Sequence, residues 1–176
     1  MMKTKLMTIL LATVLAMPIL SAAQTTASGT LAVNATLQSS ISMVFNTDAA
    51  GVALGSAGTN AATLNFGNIS AYGTLAANVS RTVAATSFTV STPFDVRVDK
   101  SNSASANYSL TAQLNAADAV NSWALSGSAV ASGAATTLTA AGTYGSSTAY
   151  SLALTVPMSS VAPSISNTIN FVATAN

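Results

Sequence analysis

The chain reads as an all-β protein, an antiparallel β-sandwich, on three observations. Apolar side chains recur at every second position in segment after segment, the period of a strand with one buried face. These segments are short and close-set, and Gly, Ser, Asn and Pro separate them. Beyond residue 23 no helical repeat of useful length intervenes, so neighbouring strands are joined by turns and pair antiparallel, in a sandwich of roughly eight strands.

Residues 1–23 stand apart from this pattern. Lys3 and Lys5 precede the short apolar run LMTILLATVLAMPIL, and Ser21-Ala22-Ala23 places small residues ahead of Gln24. This is the order of a secretory signal peptide, and the run falls short of the roughly 20 residues of a spanning helix. Cleavage after Ala23 and export of a 153-residue chain (176 − 23) are expected. The expected organisation is a signal peptide over 1–23, an N-terminal extension or donor strand over 24–39, and a sandwich domain over 40–176.

Ser28 to Phe45 is the longest alternating stretch. Leu31, Val33, Ala35, Leu37, Ile41, Met43 and Phe45 share odd positions, while Thr30, Asn34, Thr36, Gln38, Ser40 and Ser42 occupy even ones. Fully extended it would span roughly 60 Å, more than twice a usual strand. It therefore divides near Ser39-Ser40. Segment 40–46 is expected in the domain's own sheet. Segment 29–37 is either a strand donated to another chain, an edge strand of its own sheet, or a leader without fixed structure.

The remaining elements follow in order. Residues 46–60 form a glycine-punctuated loop, and ATLNFGNIS turns Leu64 and Phe66 to one side before a turn at Gly67. Val79 and Val83 mark one strand, and Phe88 and Val90 a second that ends at Ser91-Thr92-Pro93. Phe94, Val96 and Val98 mark a third, with Asp95, Arg97 and Asp99 on its polar face as a solvated ion-pair row. Tyr108–Leu114 alternates cleanly, Trp123 and Leu125 form a short element, and Val130 and Leu138 lie in a stretch of weak register. Tyr150, Leu152, Leu154 and Val156 make a strong strand closed by Pro157, and Ile165, Ile169, Phe171 and Ala173 share a face of the last. The ten aromatics after residue 23 are scattered and form no interfacial girdles, which argues against a membrane barrel.

Charge and chemistry narrow the function. The exported chain holds Arg81, Arg97 and Lys100 against Asp48, Asp95, Asp99 and Asp118, a net charge of −1 (3 − 4). No basic patch exists for a phosphate backbone, so no nucleic acid is expected as a partner. So sparse a charge leaves little repulsion to hold copies apart, which suits self-association. There is no histidine, no cysteine and no glutamate, which removes the common general base, thiol chemistry and His/Cys zinc sites. Asp95 and Asp99, four residues apart on a strand, are separated by about 13 Å, beyond the 6.5–9.5 Å of an inverting carboxylate pair. Asn46-Thr47-Asp48 reads as a turn-stabilising Asx motif rather than a calcium loop. No enzyme, cofactor or metal is expected.

Leu64-Asn65-Phe66-Gly67, soon after the first strand, resembles the LNFG signature of spore coat protein U domains. The ending, with Asn167-Thr168-Ile169-Asn170-Phe171 as final strand after the Pro157 loop, is similar to theirs. That family includes the pilins of archaic chaperone–usher pili. The resemblance implies an incomplete Ig-like sandwich, a periplasmic chaperone that lends a strand, an outer-membrane usher, and a neighbouring subunit whose N-terminal segment replaces the chaperone's strand. Leu31, Val33, Ala35 and Leu37 would then be the donor side chains. The expected role is a structural subunit of a bacterial surface fibre or coat, reached through the periplasm. The alternative is a free-standing secreted sandwich that binds a glycan or cell-surface partner through Trp123 and Tyr144.

Overall fold

The computed structural model describes residues 27–176; the expected signal peptide and its cleavage site lie outside the described residues. Nine strands and no helix occur among them: β1 (Ser40–Asn46), β2 (Ser80–Val83), β3 (Ser87–Ser101), β4 (Tyr108–Leu114), β5 (Ser122–Leu125), β6 (Ser128–Val130), β7 (Thr136–Gly142), β8 (Ser147–Pro157) and β9 (Ile169–Ala175). They form two antiparallel sheets. The larger has the order β1-β3-β8-β5-β6, with β2 also on β3, and the smaller has the order β7-β4-β9. The two sheets pack face to face, an antiparallel β-sandwich as the alternation predicts.

The core follows the period-two pattern. Phe88, Val90, Phe94, Val96 and Val98 of β3, Leu152, Leu154 and Val156 of β8, and Tyr108, Leu110, Ala112 and Leu114 of β4 are buried between the sheets. Each Leu, Val or Phe so placed contributes about 1.5–3 kcal/mol relative to exposure.

β3 corrects one sequence expectation. Pro93 does not end a strand there; β3 runs unbroken for 15 residues. One edge pairs with β8 from Ser87 to Arg97. The other pairs with β2 at Phe88–Ser91 and with β1 at Asp95–Ser101. Pro93 falls in the gap between β2 and β1, where the ladder needs no N–H, so the ring removes no hydrogen bond. Side chains bridge the gap instead. The Thr92 hydroxyl, fully buried, donates to the Asn78 carbonyl at 2.9 Å and accepts from the Val52 N–H at 3.0 Å. Asn78, held at φ 63°, donates through Nδ2 to the Gly51 carbonyl at 2.9 Å.

Leu64 and Phe66 turn to one side, onto the core, as expected; the segment makes a Gly55–Thr63 bridge and forms no strand. Gly67 makes the expected turn at φ 70°.

β1 begins at the expected Ser40. The sandwich unit comprises Thr36–Asn176, and residues 27–35 fall outside it. Residues 27–39 join no strand, and all are exposed.

Candidate functional site

Among the described residues, sheet order leaves one edge of β9 without a neighbour. Which backbone groups face that edge follows from the ladder with β4. Asn115 N–H donates to the Thr168 carbonyl at 2.8 Å at one end, and Asn176 N–H to the Asn107 carbonyl at 3.0 Å at the other. Antiparallel pairs alternate between bonded and non-bonded, and the register between these ends is unbroken. Asn170, Val172 and Thr174 therefore spend their backbone groups on β4. Ile169, Phe171, Ala173 and Ala175 turn theirs outward, toward the free edge.

The same odd-numbered residues turn their side chains inward. Ile169, Phe171 and Ala173 pack on the core yet remain only half-buried. Ile169 and Phe171 border an open groove with a cavity volume of about 1410 Å³. Met43 and Phe45 of β1 line its far wall, and Trp123, Leu154 and Val156 its floor. Leu64, Phe66 and Ile69 close one flank, and Met158 to Thr168 border the other. Phe171 sits at the centre, 5.0 Å edge-on from Phe45 and 6.1 Å from Phe94. Small-molecule sites are usually about 300–1,000 Å³ and enclosed. A trough of this size beside an unpaired strand edge suits an extended segment better.

The groove opens at one end of the sandwich. β3 and β8 meet there at Ser87 and Pro157, and Met158 N–H donates to the Thr86 carbonyl. At the opposite end Tyr108, fully buried and 5.3 Å from Tyr144, fills the space between the sheets. The chain enters β1 at that filled end, where Ser40 pairs with Ser101 and Asn102 Nδ2 donates to the Gln38 carbonyl at 3.4 Å.

The proposed donor residues are not part of the groove. Leu31, Val33 and Leu37 are 88%, 80% and 81% exposed, the three most exposed large apolar side chains after Val161 among the described residues, and Ala35 is exposed as well. Leu64, Asn65, Phe66 and Gly67 do belong to it: all four line it, with Asn65 Oδ1 accepting from the Gly67 N–H at 2.8 Å to set the turn. Arg81 donates to the carbonyls of Ser70 and Gly73 at 2.9 and 3.1 Å, fixing the loop that follows.

The polar residues singled out in the sequence have structural partners. Trp123 is buried, and its indole N–H donates to Asp118 Oδ2 at 2.8 Å. Burial pulls the Asp118 pKa up, but donors from the Asn121 backbone, Trp123, the Asn121 side chain and the Val120 backbone outweigh it and hold the pKa at about 2. Through Trp123, Asp118 thereby anchors the floor of the groove. The Tyr144 hydroxyl donates to the Asn107 carbonyl at 3.1 Å, and Lys100 lies over its ring. Arg97 and Asp99 form an ion pair at 2.8 Å, half exposed. Asp95 differs from the expected ion-pair row: it faces Asp48, and burial, then the charge and hydrogen bonding of Asp48, raise its pKa. Asp48 makes the expected Asx turn, its Oδ1 accepting from the Ala50 N–H at 2.7 Å. Among the described residues no three His, Cys, Asp or Glu side chains gather as metal ligands.

No family model, no curated protein and no solved structure matches the chain.

Proposed function

We propose that this chain is a structural subunit of a surface fibre or coat that assembles by β-strand donation. Residues 29–37 of one copy add to the free edge of β9 in another, and Leu31, Val33, Ala35 and Leu37 fill its groove. The observation that carries this reading is a match of parity. The groove side of β9 presents side chains and free backbone groups from the same odd residues, and the exposed segment presents apolar side chains at every second position. A strand paired to that edge points its apolar row inward while its backbone completes the ladder.

Two further features support polymers over closed pairs. The segment joins β1 at the filled end of the sandwich, whereas the groove opens at the other. Association through unlike surfaces is head-to-tail, and it propagates into a filament wherever the rotation between copies does not close a ring. The sparsely charged surface adds little repulsion. Burial of Leu31, Val33 and Leu37 gives about 1.5–3 kcal/mol each, and ladder bonds roughly 0.5–1.5 kcal/mol apiece. The apolar anchors alone roughly offset the 4–15 kcal/mol of lost rigid-body freedom, so the ladder bonds decide the outcome.

A periplasmic chaperone and an outer-membrane usher follow as partners from the resemblance to spore coat U and archaic pilin domains. The glycan-binding alternative has less support, since Trp123 is buried and Tyr144 is engaged by Asn107 and Lys100.

The test is the size distribution of the purified exported chain across a concentration series. Leu31→Asp and Val33→Asp should abolish polymers, because each places an unpaired charge in an apolar groove at several kcal/mol. Thr30→Asp, on the other face, should leave them. Equal behaviour of the Leu31 and Thr30 variants would sink the proposal.

A further inference from the structure

We propose that the rim of the groove around Tyr72, Met158 and Val161 is a second contact between copies, and that it seats the face around Ser101, Asn102 and Ser103 of the next copy. This rests on the strand-donation reading above. Chain length brings the two faces together. Only Gln38 and Ser39 separate Leu37, the last anchor, from Ser40, where the donating copy's β1 begins. Three Cα steps reach at most about 11 Å. With Leu37 in the groove, Ser40 lies within that distance of it, and Ser101, the ladder partner of Ser40, comes too.

The strand's direction follows from the ends of the groove. The open end is the Pro157–Thr168 end; the other is filled by Tyr108. A bulky folded domain attached at Ser40 fits only outside the open end, so Leu37 lies toward Ile169 and Leu31 toward Ala175. The donated strand then runs antiparallel to β9, the better-bonded ladder.

The rim is what the incoming domain meets first. Tyr72 is 73% and Val161 96% exposed, and Met158 is partly so. Tyr72 and Met158 line the groove, as do the chain neighbours of Val161, Ser160 and Ala162. Exposed apolar side chains rimming an apolar groove are the mark of an interaction surface. Neither rim segment, 60–72 or 157–168, carries a charged residue, and neither does 101–107. The two faces meet without buried charge to desolvate. The contact makes the short linker a stiff joint rather than a free tether.

The chain has no cysteine, so introduced cysteines report alone. The full exported chain carrying Val161→Cys with Asn102→Cys, and a second carrying Tyr72→Cys with Ser103→Cys, are allowed to polymerise and then oxidised. A ladder of disulfide-linked oligomers is expected from at least one pair, since the bond requires Cα atoms within about 7 Å. Single substitutions should give none. Polymers without a ladder from either pair would overturn the rim contact and leave strand donation standing. Dimers from Val161→Cys alone would overturn it too, by showing rim meeting rim. If no variant and not the unsubstituted chain polymerises, strand donation falls and the rim contact with it. As a second readout, Val161→Asp with Tyr72→Asp should raise the concentration needed for polymers at least about tenfold. Monomer melting should not change, because both side chains are exposed.

Discussion

A side chain at Gly51 would stand 2.0 Å from the carbonyl oxygen of Pro93. The turn after β1 is thus laid directly on β3, at the point where β1 and β2 leave its edge unpaired. The obstacle is backbone, which cannot rotate away. Gly51→Ala should therefore destabilise the domain by about 1–3 kcal/mol through overpacking. Gly29→Ala, with nothing within 4 Å, should be silent. Urea midpoints of the two variants make the comparison.

Thr92 closes the same gap with one hydroxyl. It serves Val52 N–H and the Asn78 carbonyl at once, at a site without water access. Thr92→Val keeps the shape and leaves the buried Val52 N–H without its partner, while the Asn78 carbonyl loses its only side-chain donor here. The expected loss is about 1–3 kcal/mol. Thr92→Ser, which keeps the hydroxyl, should recover most of it in the same urea titration.

Asp118 predicts a pH dependence. Its pKa is about 2 in the folded chain against 3.8 for the free side chain. A depressed carboxylate contributes stability that is present above the unfolded value and lost as pH falls through the folded one. The wild type should therefore weaken between about pH 4 and pH 2 by a component missing from Asp118→Asn. Asp118→Ala should cost about 1.5–3 kcal/mol at neutral pH, typical of a hydrogen bond to a charged group, and should raise the exposure of Trp123. Chemical denaturation with tryptophan fluorescence across this range reads both effects. A slope unchanged in Asp118→Asn would count against the assignment.

Much of this fold was legible because period two reports which face is buried. The Ser40 start of β1 and the strands at Tyr108–Leu114 and Tyr150–Val156 follow from it. Period two does not report whether a partner strand exists. Ala62–Phe66 alternates as well as any strand, yet makes one bridge only. Nor does local propensity foresee that Pro93 lands where two neighbours leave a gap. The approach of Asp48 to Asp95 was hidden for a different reason: the two are set together by the β1–β3 register, which pairs Asn46 with Asp95. For the groove, the sequence showed an apolar segment in excess of one domain's needs. The free edge of β9 emerges only from the strand order, because nothing local to Ile169–Ala175 distinguishes an edge strand from a central one.

That edge supplies the sharpest test of strand addition, through proline at two adjacent positions. The Val172 N–H is committed to β4, and that of Ala173 points to the free side. Val172→Pro removes a ladder bond and forces a ring against β4, so the domain itself should fail, by about 3 kcal/mol or more. Ala173→Pro removes only an outward donor, and proline is tolerated on an edge whose N–H faces away from the sheet. The Ala173→Pro monomer should melt within a few degrees of wild type. Its ring should nonetheless deny an incoming strand both a bond and room to approach. Polymers should disappear while the fold persists, a separation that size-exclusion chromatography and thermal melting read together. Polymerisation of Ala173→Pro at wild-type concentration would mean that residues 29–37 do not pair with β9.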